Sequence, residues 1–366
     1  MKKKFIISVA RVLLLGVFIT LNSCSKTAKK EIKKETKKTV YASDVIPIFD
    51  DFKLILGDGS NVGFANNFEN KDFFYTENEG GTEWVVFKAP NAGSTHGTSN
   101  NTRTELGQIK KWYPETANDK MTATLKVMNV SATGDKTVAA SHAVVVGQIH
   151  SADKFENEPL KIFYKKYPNH TKGSVFWHYE INTAGDDNSK RWDFSTAVWG
   201  NDFSVVGPDA NTPPSEPKEG IELGEEFSYE IVVKDGIMNL TFTSKGHETK
   251  TFTKNIIKSD YATKADIPEQ TQKLFVPINQ DGVERESAYT AEGCFFKLGC
   301  YNQTNGKSPE VNKNWCSGAE THDGDVQKQY TDGNYAEVWF KTASISISDA
   351  AVSNEGYFSK NDHLKK

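Results

Sequence analysis

From about Val45 onward, apolar and polar residues alternate with a period of two, in short runs bounded by Gly, Asn, Asp and Pro. That is the pattern of strands with one face turned to a core. It predicts strands at 84–87, 121–130, 143–150, 174–181, 227–233, 238–243 and 336–347. Lys234-Asp235-Gly236 supplies a tight hairpin between the fifth and sixth of these, and Ser244-Lys245-Gly246 ends the sixth. Helices are scarce, with one short helix predicted over 266–274. Two connections, 199–220 and 254–293, are long, and loops of such length usually cover a functional surface. With no internal repeat and no second shift of composition, the expected fold is all-β: one large antiparallel sandwich or jelly roll over residues 43–366.

The alternation is absent before that point. Lys2, Lys3 and Lys4 make a basic start, an apolar stretch runs from Phe5 to Leu21, and Ser23 directly precedes Cys24. Residues 1–23 thus resemble a bacterial lipoprotein signal, after which Cys24 becomes the lipidated first residue. Arg11 within the apolar stretch argues against a membrane-spanning helix. Residues 24–42 read as a tether, because the run 26–38 of mostly Lys, Glu and Thr has too little apolar surface to fold. The expected product is exported and lipid-anchored to the cell envelope, at the outer membrane.

Charge narrows the partners. The whole chain carries −4, but beyond residue 38 there remain 33 basic against 46 acidic residues, a net charge of −13. A nucleic-acid partner is excluded on that balance, and a polyanionic substrate needs a local basic cleft. The 22 Phe, 13 Tyr and 7 Trp suffice for a large core with rings to spare for a sugar surface. Of the four cysteines, Cys294, Cys300 and Cys316 follow the lipid site, and none has the C-x-x-C spacing of structural zinc. Six residues of one strand hold Cys294 and Cys300 roughly 20 Å apart, beyond disulfide reach. In an oxidising compartment Cys316 is expected to bridge to one of them, with Cys300 favoured.

Three strand-like segments carry polar residues on a single face. Arg103 and Glu105 share a side of Arg103-Thr104-Glu105-Leu106, and Gln148 and His150 share a side of Gln148-Ile149-His150. In the segment 295–303, Lys297, Tyr301 and Gln303 lie opposite Phe296, Leu298 and Cys300. If these strands neighbour one another, their common face is no hydrophobic core. It suits removal of the proton α to a uronate carboxylate, followed by loss of the 4-linked sugar. That reaction needs groups to neutralise the carboxylate, a base at C5 and an acid for the departing oxygen. Arg103 and Gln148 fit the first role, His150 the second as a neutral imidazole, and Tyr301 the third.

The same three segments, in this order, resemble the motifs of the polysaccharide lyase family 7 alginate lyases, over most of residues 45–348. The resemblance implies a β-jelly roll of two curved antiparallel sheets, concanavalin-like, with alginate in the concave cleft. It implies that Arg103, Gln148 and His150 contact the carboxylate, and that Tyr301 is the acid and, in the syn reaction, also the base. For guluronate, His150 takes the proton while Tyr301 donates. Lys297 and Gln303 would hold neighbouring sugars, Glu105 would orient Arg103, and Asn101 and Asn302 would join the substrate contacts. Ile149 in the middle motif is associated in the family with enzymes that accept guluronate. One departure is Gly107, where the family's first motif usually ends in a second arginine. Cys300, where small apolar residues are common, is expected to face away from the cleft.

The alternative is a non-catalytic jelly-roll module that binds polyuronate. A glycoside hydrolase would need paired carboxylates flanking the bond, and no E-x-D-x-E run occurs. His178 reads as structural or cleft-lining, while His96, His142, His170, His247, His322 and His363 read as solvated. Trp192, Trp199 and Trp315 read as packing residues before sugar platforms. Asp186-Asp187 and Asp323-Gly324-Asp325 read as solvated loops before calcium ligands, so no metal and no cofactor are expected. The expected protein is a monomer, and the two long connections, by closing one end of the cleft, favour exolytic release of short products.

Overall fold

The computed structural model describes residues 39–95, 99–153, 158–181, 192–204, 206, 209–258 and 289–355. Among these the strands are β1 (Phe52–Ile55), β2 (Asn61–Gly63), β3 (Phe74–Glu79), β4 (Thr82–Pro90), β5 (Arg103–Gln108) and β6 (Lys110–Lys111). Next come β7 (Asn118–Asn129), β8 (Ala143–Ser151), β9 (Leu160–Lys165), β10 (Lys172–Ile181), β11 (Trp192–Trp199) and β12 (Ile221–Glu222). The last are β13 (Glu226–Lys234), β14 (Ile237–Ser244), β15 (Lys250–Asn255), β16 (Cys294–Asn302), β17 (Tyr335–Ser346) and β18 (Val352–Ser353). Two short α-helices, Ala42–Val45 and Val326–Thr331, complete the described regular structure with a few 3-10 turns. The apolar leader, the tether to residue 38, the helix predicted at 266–274, His96, Asp186-Asp187 and His363 lie outside the described residues. No described helix is long and apolar enough to cross a membrane.

The strands form two main antiparallel sheets. One runs β11-β10-β9-β8-β16-β5-β1-β2, with β12 paired to β10, and the other runs β15-β14-β13-β7-β17-β4-β3. All the strands predicted from alternation are present, and the compact unit they belong to begins at Val40. In the second sheet the alternation is clean, with Met121, Ala123, Leu125 and Val127 of β7 buried against Phe227, Tyr229, Ile231 and Val233 of β13. Each such ring or branched chain taken fully from water contributes about 1.5–3 kcal/mol. Phe87 is the middle of an aromatic row across the core, 5.0 Å from Phe74 and 5.3 Å from Phe340 between ring centres. The predicted hairpin joins β13 to β14, and Asp235 and Gly236 both adopt positive φ, as a two-residue primed turn demands.

The first sheet departs from simple alternation at one decisive place. Val144, Val146, Gln148 and His150 all have even numbers, so strict period two would aim them to one side. Instead β8 slips register against β9 between Val145 and Gly147. This bulge leaves Val144, Val146 and Ile149 in the core, while Val145 joins Phe163, Phe176 and Tyr301 on the opposite face. Gly147 is required there, since a Cβ would lie 2.6 Å from the Tyr229 hydroxyl, which donates to the Val146 carbonyl. A matching slip in β16, between Leu298 and Tyr301, brings Gly299 to φ 147°. A side chain at Gly299 would collide with the Thr104 carbonyl at 2.5 Å, so glycine lets β5 approach closely.

The cysteine expectation is corrected. Cys294, Cys300 and Cys316 are all free and buried. Cys300 points between the sheets with Phe296 and Leu298, away from the polar face as expected, whereas Cys316 sits in the loop after β16, outside that core. The bridge fails because Cys300 is turned inward.

Candidate active site

The three polar segments are adjacent strands, in the order β8-β16-β5. Tyr301 pairs with Arg103 on one side and Val145 on the other, and Lys297 pairs with Gly107 and Gln148. His150 stands opposite Phe295, so the polar residues form a contiguous floor on the concave sheet.

Glu105 is the hub of that floor. Buried at 2 % exposure, it accepts from Lys297 Nζ at 2.6 Å and Arg103 Nη1 at 3.5 Å, and from the Gln148 amide. Burial opposes its charge, but Lys297 and Arg103 outweigh burial and hold its carboxyl below the ordinary range. Lys297 in turn is lowered to about 8 by burial, against the pull of Glu105. Arg103 lies over the Tyr301 ring, its guanidinium carbon 3.7 Å from the centroid, and the Tyr301 hydroxyl meets Ser99 Oγ at 3.1 Å. One amide N–H of Gln148 is spent on Glu105, and the second is left for a ligand.

His150 is neutral at pH 7. Burial lowers it to about 4, helped by Lys297 and Lys161 and opposed by Glu158. Its Nδ1 is 2.7 Å from the Ser151 carbonyl, which can only accept, so Nδ1 carries the proton and Nε2 the lone pair. The arrangement therefore offers a base, a phenolic acid and a guanidinium within one patch of three strands.

A family model described as alginate lyase matches residues 49–347. The chain belongs to the alginate lyase family. An alginate lyase of Klebsiella pneumoniae is 27 % identical over 276 residues, covering 67 % of this chain and 76 % of that protein. The crystal structure of the exolytic PL7 alginate lyase AlyA5 from Zobellia galactanivorans is 61 % identical, with a TM-score of 0.74, over 85 % of this chain and 99 % of that one. The Klebsiella pneumoniae alginate lyase structure shares the fold at 20 % identity and a TM-score of 0.58, over 85 % of this chain and 99 % of its own.

Other expected residues of the lyase sit as follows. Asn302 is corrected: it faces the core, its amide donating to the Ala89 and Pro90 carbonyls and to Asn91 Oδ1. Even parity in β16, shared with Leu298 and Cys300, turns it from the cleft. Gln303 lies just past β16, buried, with its amide on the Tyr301 carbonyl at 3.4 Å. Asn101 shares the parity of Arg103 and accepts from Asn305 at 2.5 Å. His142 is also corrected, being buried between the Ser131 and Gly134 carbonyls at 2.8 and 3.2 Å rather than solvated. His178 is structural, with Nε2 donating to the Phe203 carbonyl at 2.5 Å. Trp199 is core, Trp315 packs on Ala139 and Ala210, and Trp192 lines a cavity of about 840 Å³ at the β11 end. Asp325 caps the helix Val326–Thr331 through the Lys328 N–H. The sequence reading missed Ser99, Glu158 and Lys161, and also Lys53, which pairs with Gly107 on the concave side where the family's second arginine is lost.

Buried His142, like His150, is lowered to about 4, chiefly by burial. Unfolded, both imidazoles take a proton near pH 6.5; folded, neither does until about pH 4. The unfolded chain therefore binds more protons across that window, and stability must fall as pH drops from 6.5 toward 4. Urea midpoints measured through this range should decline steadily, and His142→Gln should make the decline shallower.

Proposed function

We propose that this lyase cleaves the 4-linked bond of alginate by β-elimination, with guluronate-containing chains as substrate and attack from a chain end. The observation that carries the reading is the adjacency of β8, β16 and β5, with His150, Gln148, Tyr301, Arg103 and Glu105 on one face. Arg103 and the free N–H of Gln148 take the uronate carboxylate as charge builds on it. His150 Nε2 removes the C5 proton, and the Tyr301 hydroxyl protonates the departing O4. Glu105 keeps the guanidinium and the amide in register. The cleft floor is thus cationic on an acidic body, as a polyuronate requires.

Two observations support action at a chain end. The connection after β11 lies over the β10 side of the concave face, with Phe203 5.2 Å from Phe176 between ring centres, and its N–H donating to Ser195. Further along, Asn211 donates to the Thr137 and Lys313 carbonyls, tying that connection to two neighbouring loops. A closed end favours a terminal sugar, and AlyA5, 61 % identical, is described as exolytic. In the same reading the lyase is a monomer, exported and held at the cell envelope by lipid on Cys24.

Elimination creates a C4–C5 double bond conjugated to the carboxylate, so ultraviolet absorbance must rise on alginate; a mere binding module would leave it flat. On polyguluronate, short products should dominate from the first minutes while viscosity falls slowly. An early spread of mid-length oligomers would refute the exolytic mode.

A further inference from the structure

We propose that Glu158 is a positioning residue for the base, so that His150 and Glu158 act together as a dyad in guluronate cleavage. The inference rests on His150 being the base at C5. Glu158, in the segment leading into β9, brings Oε1 to 3.4 Å from His150 Nε2. The carboxylate is itself held, since its Oε2 lies 3.0 Å from Lys161 Nζ, and that ammonium also meets Glu180 Oε2 at 2.9 Å. All four side chains are buried.

The geometry is tuned to the protonated ring. With Nδ1–H committed to the Ser151 carbonyl, the neutral imidazole keeps its lone pair on Nε2, and a carboxylate oxygen 3.4 Å from that nitrogen gains it nothing. Once Nε2 holds the C5 proton, an imidazolium cation and a carboxylate anion stand 3.4 Å apart in a water-poor site. The interaction strengthens as the proton moves, which is the condition for lowering a barrier and not merely tightening binding. Other charges around the ring work the opposite way: Lys297 from β16 and Lys161 from β9 both disfavour the imidazolium, and the Phe295 ring covers it at 5.3 Å. Among the described residues Glu158 supplies the countercharge.

The step balances without a further reagent. The C5–H bond breaks with its electron pair entering the enediolate, the C4–O4 bond breaks as the C4–C5 double bond forms, and the Tyr301 proton goes to O4. The proton on His150 then returns to the Tyr301 phenolate through water.

Glu158→Gln tests this on polyguluronate. The expected result is a fall in kcat of roughly 10- to 100-fold with KM within about twofold, and an acid limb of kcat/KM moved to lower pH, because the imidazole has lost the charge that raised its affinity for a proton. Glu158→Asp, with the carboxylate drawn back by one methylene, should show a smaller loss and a smaller move in the same direction, and it carries the test alone if the glutamine variant does not fold. Loss of activity with the limb unmoved would mean a purely structural role and overturn the proposal, as would unchanged kcat. His150→Asn run in parallel separates the two readings: full activity there removes the base itself, whereas its loss beside an unaffected Glu158→Gln removes only the dyad.

Discussion

Tyr301→Phe should lower kcat on alginate by about 10²- to 10⁴-fold, with KM within about twofold. The substitution removes one oxygen and keeps the ring. Arg103 sits over the ring face, 3.7 Å from its centre, and the ring's packing against the apolar cluster of Val145, Phe163 and Phe176 does not use the hydroxyl. Ground-state binding should therefore survive, while the leaving O4 loses its proton donor. The measurement is the initial rate of ultraviolet absorbance across a range of polymer concentrations. A kcat within tenfold of the parent would mean that another group supplies the proton. Ser99, 3.1 Å from the hydroxyl, would then be the next to substitute.

Glu105→Leu should cost about 3–5 kcal/mol of folding stability and remove nearly all activity. Glu105 answers both Lys297 and Arg103 from a site closed to water, and leucine would remove the countercharge they share there. It would also free the Gln148 amide to turn, so the groups proposed to take the carboxylate lose their alignment together. The carboxyl of Glu105 is depressed in the folded state, so its contribution is present above the ordinary glutamate range near pH 4.5 and is lost as pH falls through the lowered value. Glu105→Gln should be milder, since an amide still accepts from Lys297. Chemical denaturation at pH 7 reads the stability, and the absorbance assay reads the activity.

Much of this was legible in the chain itself. Strict alternation in β7, β13 and β14 announced a two-sheet sandwich, because one solvated face leaves a visible polar stripe. Arg103, Gln148, His150, Lys297 and Tyr301 were recognisable because charged and amide side chains do not belong on a strand face unless something polar meets them. Strands β9 and β11 went unseen, since β9 is buried on both faces and β11 lies beside loops whose composition hides it. Asn302 misled because the resemblance placed it among the substrate contacts, when its amide in fact satisfies carbonyls at the end of β4. Glu158 and Lys161 carry no signature in sequence. Their meaning comes from β9 lying against β8, a neighbour relation no local spacing encodes.

The slip at Val145–Gly147 divides β8 into two stretches that answer to different demands. Upstream valines can drift in size with the interior they fill, and the amide and imidazole downstream need not follow. A residue inserted between that slip and Gln148 would undo that independence by swinging the amide and the imidazole into oil, so the downstream stretch tolerates exchange of letters far better than a gain in their number.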